Sequence, residues 1–193
     1  MLTLALALAL GCPQRIQVVA PSPRSTTATL TVSECGKRVL GPWRAHVGRS
    51  GLSAHHLEGD GTTPLGRFAI GPVLYGLEPD PGVTLGYHRI VCGDWWDEDP
   101  GSRTYNTFRH TTCGAKPAFG ADSEALWKPL VAYGAFAVVQ YNVAPVVPGR
   151  GSAIFLHVDT GRATNGCVSL WRPNLLRVLR LLQPGATIAI RTA

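Results

Sequence analysis

Residues that break regular structure punctuate this chain so often that long helices are excluded from its first half. Gly and Pro together supply 37 of the 193 residues, and with Thr and Val they recur every eight to twelve residues as far as Tyr87, the spacing of short strands joined by tight turns. Gln17 to Ala20 and Thr27 to Ser33 alternate and are β-branched, with the breaker cluster Pro21 to Ser25 between them. Val39 to Val47 continue the pattern around Gly41 and Pro42. Phe136 to Tyr141 and Ser152 to His157 are short apolar runs bounded by turn residues, which predicts adjacent core strands and puts His157 at a strand end.

Two helices are expected in the second half. One runs from Asp122 or Ser123, either of which can cap it, to Tyr133, with Gly134 closing it and Pro129 kinking or shortening it. The other, Pro173 to Leu182, carries Leu175, Leu176, Val178, Leu179 and Leu182 on one face and Arg177 and Arg180 on the other, with Pro in its first turn. Pro184 and Gly185 stop it, and Thr187 to Ile190 supply a last strand. The fold class is therefore mainly β (β-rich α+β), in one domain over residues 13–193. A hydrophobic content of 45% is enough for a core, and neither an internal repeat nor a linker interrupts the chain.

Residues 1–12 form a separate unit. Met1 to Gly11 are apolar over the length of a secretory core and too short to cross a bilayer, so an export signal is expected. No Lys or Arg precedes the apolar run, as for a start codon lying inside a longer signal; a buried N-terminal helix is the alternative. Ala9 to Cys12 also approximate a lipoprotein box, in which Cys12 would be lipidated and anchor the protein to a membrane. In an exported chain, five cysteines leave at least one unpaired. Cys92 and Cys113 flank a turn-rich aromatic excursion and are candidates for a disulfide. Cys35 adjoins a strand-like run, where burial or a bridge to another cysteine are both open.

The net charge of +6 comes from 15 Arg and 3 Lys spread without a cluster. That suits work beside anionic wall polymers and headgroups. Without a basic run, a basic helix stripe or finger-like cysteine spacing, nucleic acid is not the expected partner. His55, His56, His88 and His110, with Cys92 and Cys113, match no zinc spacing and are expected to be scattered surface residues, so no metal is predicted. Trp95, Trp96, Tyr105 and Tyr141 are core aromatics or the walls of a groove.

The chemistry concentrates between Ile154 and Leu170. His157 and Cys167 lie ten positions apart around a glycine turn, and an imidazole that can take the thiol proton is what a cysteine nucleophile needs. Gly166 lets the chain turn sharply and lets a carbonyl approach the backbone N–H groups of Gly166 and Cys167. Asp159, two positions beyond His157, could orient the imidazole, as could a backbone carbonyl.

This stretch resembles the catalytic segment of the L,D-transpeptidase catalytic domain (YkuD-like) family, in which an upstream His and a Ser/Thr-x-Gly-Cys signature form a cysteine acyltransferase site; here the matching residues are His157, Thr164, Gly166 and Cys167. Gly59 to Phe68 is similar to that family's Gly-x-x-Thr-Pro-x-Gly-x-Phe segment, a structural turn that also borders the substrate groove. The likeness extends from about Gln17 to the C-terminus. It departs from the family pattern at Asn165, where many members have His, at Ser169, where many have Arg or Asn, and in a short loop between His157 and Cys167.

The resemblance implies a sandwich-like fold with a few short helices, and an exported monomer of the cell wall or a periplasm-like space acting on peptidoglycan stem peptides. It implies Cys167 as nucleophile, His157 as base, Gly166 in the oxyanion turn, and Thr164, Asn165, Ser169 and Tyr141 toward the substrate. No cofactor is implied. Water in place of an amine acceptor would make the protein an L,D-carboxypeptidase; the departures at Asn165 and Ser169 and the short loop would instead suit a wall-binding module with an inactive catalytic remnant, which loss of thiolate character at Cys167 would favour.

Overall fold

The computed structural model describes residues 12–120 and 123–193. The expected export segment, residues 1–11, and the proposed helix cap at Asp122 lie outside the described residues.

The chain forms β1 (Arg15–Ala20), β2 (Thr27–Glu34), β3 (Lys37–His46), β4 (Leu52–Ser53), β5 (Thr63–Pro64), β6 (Gly66–Gly76), β7 (Gly86–Arg89), β8 (Asp94–Asp97), β9 (Thr107–His110), β10 (Glu124–Ala125), β11 (Phe136–Val139), β12 (Phe155–Val158), β13 (Val168–Leu170), one helix α1 (Arg172–Leu181) and β14 (Thr187–Thr192). The fold is mainly β, as the density of turn residues requires. The principal sheet runs β11-β12-β13-β3-β2-β1-β14-β6-β7, and β11 also pairs with β6, so the sheet closes on itself. Closure removes most of the unpaired edge that an open sheet would expose.

The strands read from alternation are present: Ile16, Val18 and Ala20 in β1, Ala28, Leu30 and Val32 in β2, and Ile188 and Ile190 in β14 are buried while their neighbours face outward. β2 and β3 form a hairpin whose turn residues Cys35 and Gly36 have φ of 48° and 78°. Positive φ at both turn positions matches the right-handed twist of the flanking strands.

The run β11, β12, β13 is buried at every position, because these strands separate two cores. Ala137, Val139, Leu156 and Val158 face a large aliphatic core with Val168, Leu170 and the helix leucines, while Phe136, Val138 and Phe155 face a smaller, aromatic one with Trp96, Leu126 and Tyr133. Helix α1 places Leu175, Leu176, Val178 and Leu179 against the aliphatic core, and its exposed Arg177 lies 5.1 Å over the Trp43 ring. Burying each such leucine contributes about 1.5–3 kcal/mol.

The helix expected to end at Tyr133 does not form. Glu124 and Ala125 pair instead with Trp96 and Trp95 as a short strand, and turns follow. Pro129 has no N–H to continue a helical ladder, and only single-turn bonds such as Tyr133 N–H to Pro129 O (3.0 Å) are made there. Trp96 and Tyr105 are core residues, whereas Trp95 is half-buried against Trp127 and Phe119. Cys92 is bonded to Cys113 and Cys12 to Cys35; the hairpin turn carries Cys35 to the surface, so of its two open fates the bridge is the one taken. No helix among the described residues is long and apolar enough to cross a membrane.

Candidate active site

β12 and β13 are parallel, with Leu156 opposite Val168 and His157 opposite Ser169. A parallel neighbour requires the chain to travel back along the strand before it can pair, so the loop over residues 159–167 returns Cys167 to the level of Phe155. The Phe155 N–H points at Cys167 Sγ at 3.3 Å, and the thiol donates to Ala153 O at 3.2 Å. Period-two alternation then sets Phe155 and His157 on the same face as Cys167. His157 and Cys167 both line one cavity of about 980 Å³.

The turn is held from several sides. Gly166 has φ of 145°, and a Cβ there would come 3.0 Å from Thr62 O, so only glycine fits without strain. Thr164 is buried and spends its hydroxyl on the turn, donating to Cys167 O (2.6 Å) and accepting from Gly166 N–H (3.2 Å), while its backbone exchanges bonds with Val47 and Arg49. Thr63 Oγ1 accepts from Gly48 N–H (2.7 Å) and donates to Cys167 O (3.2 Å). The Thr-Pro-Leu-Gly segment is thus a buttress beneath the Gly166–Cys167 turn, the first of the two roles expected for it.

His157 is buried, and its Nδ1 lies 2.8 Å from Val158 O. A carbonyl can only accept, so Nδ1 carries the hydrogen and Nε2 keeps a lone pair, as a base requires. The backbone carbonyl therefore orients the ring. Asp159 is engaged elsewhere, by His46 Nδ1 (2.9 Å), Ser169 Oγ (3.0 Å) and Gly161 N–H (3.1 Å), because the row Ser169–His46 across β13 and β3 lies on the same face and closer to it. Tyr133 packs its ring edge-on to the imidazole, 6.0 Å between centroids.

Burial pushes the Cys167 thiol well above the ordinary thiol range, the carboxyls of Glu124 and Glu98 push it further, and the Phe155 N–H opposes them only in part. Burial also lowers His157 below the usual histidine value, with Val158 O and Asp159 opposing. Both groups are consequently neutral at rest. With both groups shifted toward their neutral forms, the chemistry open to this pair is general-base removal of the thiol proton by the imidazole.

Among the other expected site residues, Asn165 stands on the cavity rim, exposed, with its Oδ1 accepting from Arg49 Nε (3.1 Å). Ser169 is buried against Asp159 and does not reach the cavity. Tyr141 does not line it either; its hydroxyl donates to Arg150 O (2.6 Å) and its ring stands against His56 and Phe68.

Several cavity residues were not singled out from sequence. His56, expected on the surface, is buried, bonded to Thr62 Oγ1 (3.0 Å), and lies beside Gly166 and Gly151, which are distant from it in sequence and so gave no local signal. Glu58, Glu98, Glu124 and Tyr133 converge on the same cavity from distant parts of the chain, with Arg49, Lys128 and Arg162 as cations. His88 and His110 both bond Asp94, at 2.8 and 2.6 Å. Among the described residues no cluster has the makings of a metal site.

A family model for the L,D-transpeptidase catalytic domain (YkuD) matches residues 15–190. Among solved structures, an L,D-transpeptidase (Yku) from Stackebrandtia nassauensis is similar at 15% identity and a TM-score of 0.42, over 92% of this chain and 55% of that one. The chain thus spans little more than half the length of that protein. No curated protein matches.

Proposed function

Because the chain belongs to the L,D-transpeptidase catalytic domain (YkuD) family, whose members modify peptidoglycan, we propose that it is an exported cysteine acyltransferase acting on peptidoglycan stem peptides. The observation that supports this most is the shared cavity of a free thiol, Cys167, and an imidazole, His157, whose Nε2 is left as an acceptor.

In this reading the S–H proton of Cys167 passes to His157 Nε2 as sulfur bonds to the stem carbonyl carbon, and the carbonyl electron pair moves to oxygen. Backbone N–H groups at the Gly166–Cys167 turn receive that oxyanion, a large contribution in acyl transfer. Collapse breaks the peptide bond to the terminal D-amino acid, whose nitrogen leaves with the proton from His157. The thioester is then attacked by an acceptor amine, which gives its proton to His157, and collapse returns that proton to the Cys167 sulfur. Arg49 and Arg162 on the cavity wall suit the carboxylates of a stem peptide, with Asn165 holding Arg49 in place.

Export rests on two disulfides, which persist in oxidising compartments, and on the apolar residues 1–11. We place the working protein, a single catalytic domain over residues 13–193, in the cell wall or periplasm-like space. A lipid thioether would use the Cys12 sulfur that is bonded to Cys35, so lipid anchoring and this disulfide exclude one another.

Incubation with a disaccharide tetrapeptide, with and without an acceptor amine, tests the reading by intact mass. A Cys167 adduct with cross-linked product is expected. Shortened stems alone would make the protein an L,D-carboxypeptidase, and full turnover in Cys167→Ala would end the nucleophile assignment.

A further inference from the structure

The cavity wall beside the Gly166 turn holds a second imidazole, which the proposed reaction leaves unused. His56 follows β4, is 3% exposed and lines the same cavity as Cys167. Its Nδ1 lies 3.0 Å from both Thr62 Oγ1 and Asp60 Oδ1. Thr62 spends its one hydroxyl hydrogen on Asp60 Oδ1 (2.8 Å), and a carboxylate only accepts. Nδ1 therefore carries the hydrogen, and Nε2 keeps a lone pair that has no partner among the described residues and is not sealed from the cavity. Burial lowers this imidazole below the usual histidine value against the pull of Asp60 and Glu58, so it stays neutral. Glycines make room for the ring: a Cβ on Gly151, whose φ is 92°, would stand 2.3 Å from Nε2, and Cε1 is 3.6 Å from where a Gly166 Cβ would be. The Cys167 sulfur belongs to the residue after Gly166 and bonds Ala153 O, two residues past Gly151, so ring and sulfur are set against the same two segments.

Glu58, two residues on, lines the same cavity. Its Oε2 accepts from the Tyr105 hydroxyl and from Ser152 Oγ (2.7 Å), which fixes the carboxylate and leaves Oε1 without a partner among the described residues. Arg49 on the same wall is turned to Asn165 Oδ1 (3.1 Å) and Gly59 O (3.4 Å), and among the described residues it forms no ion pair with Glu58. An unspent imidazole lone pair near an uncompensated carboxylate suits a ligand that donates hydrogens and carries positive charge. We propose that His56 and Glu58 form a subsite for a primary ammonium, the acceptor of the acyl transfer, with one N–H donated to His56 Nε2 and the charge held beside Glu58. This rests on the acyl-transfer reading above. The ammonium loses one proton to solvent, the resulting amine attacks the thioester carbon and passes a second proton to His157, and the N–H held by His56 remains in the amide product. Asp60 and Thr62 are positioning residues that fix the His56 tautomer. Water carries no charge for Glu58 to attract, so the subsite favours transfer over hydrolysis.

The probe is Nα-acetyl-lysine amide, whose only charge is a primary ammonium, with its Nε-acetyl counterpart as the uncharged control. Binding is read without turnover, from the NMR resonance of the His56 Cε1 proton in the full chain carrying Cys167→Ala, assigned by its loss on His56→Gln. A saturable shift is expected with the ammonium and none with the control. Glu58→Gln should raise the half-saturating concentration about tenfold, the worth of a charge-assisted hydrogen bond. In the active protein, with a disaccharide tetrapeptide as donor, His56→Gln should raise the probe concentration for half-maximal transfer, and lower the ratio of transfer to hydrolysis, far more than it slows formation of the Cys167 adduct followed by intact mass. A shift that does not saturate, equal binding of the acetylated control, or adduct formation and transfer lost in proportion, as from a ring that only props up the turn, would overturn the subsite. A wild type that forms no Cys167 adduct would instead remove the acyl-transfer reading, and the NMR titration would then decide the ammonium site by itself.

Discussion

At the residue scale, the site depends on neutral partners brought together under cover. In the proposed reaction His157 is the base and must be unprotonated, and burial lowers its pKa below the usual value of about 6.5. Activity should therefore rise with pH along an acid limb that lies lower than an ordinary histidine would set. A pH–rate profile with the limb at or above that value would contradict the buried base. His157→Gln should cost roughly 10²–10⁴ in kcat, the usual worth of a positioned base. Gly166→Ala should cost about 1–3 kcal/mol in a denaturant titration, because an L side chain is strained at φ of 145° and its Cβ meets Thr62 O at 3.0 Å.

At the element scale, β12 and the turn leading into β13 carry His157 and Cys167, the two groups proposed to react, and the short sheet of β8, β9 and β10 supports them from the aromatic core. Asn106 joins the two. Its Oδ1 accepts from Trp96 Nε1 (2.9 Å) and Ala153 N–H (3.1 Å), and its amide donates to Tyr141 O (3.0 Å) and Asn142 O (2.9 Å). Ala153 O is in turn the acceptor of the Cys167 thiol. Asn106→Ala would orphan several buried partners, at roughly 1 kcal/mol for each lost bond and more for groups left unsatisfied. A total loss near 3 kcal/mol is expected, with slower Cys167 chemistry than stability alone explains; unchanged melting would show that water replaces these bonds.

At the scale of the whole molecule, two devices set the conditions of stability. The disulfides Cys12–Cys35 and Cys92–Cys113 close segments separated by 23 and 21 positions, each worth about 2–4 kcal/mol in the usual account. Reduction should lower the melting temperature in two separable increments, one for each cysteine pair, measured with Cys→Ala pairs as controls. The second device is proton linkage. His56 and His157 have folded pKa values below the unfolded one of about 6.5, so near and below that pH the unfolded chain binds protons that the folded one refuses. Stability is full above it and declines as pH falls toward the folded values. Asp60, Asp94 and Asp159, whose carboxyls are lowered by their hydrogen bonds, withdraw further stability only in more acid solution, below about 3.8. Melting scans across this range should show the loss beginning near the histidine value.

Local patterning carried much of this molecule. Alternation in β1, β2 and β14 and the leucine face of α1 are properties of neighbours in sequence, as is the pairing of a thiol, a glycine and an imidazole within β12 and the loop that follows it. What was not legible depends on distant segments meeting. The stretch before Tyr133 has a plausible helical composition, but its fate was decided by strand pairing with Trp95 and Trp96. His56 looked like any surface histidine until Gly151, Thr62 and Gly166 closed around it. Ser169 followed the cross-strand row to Asp159 and not the cavity, and Asp159 left His157 to a backbone carbonyl. Periodicity tells a chain which face is buried. Which polar groups are buried together is settled only when the small β10-β8-β9 sheet packs beside the closed one and residues 98, 124 and 167 come to line one cavity, because such burial joins segments far apart in the chain.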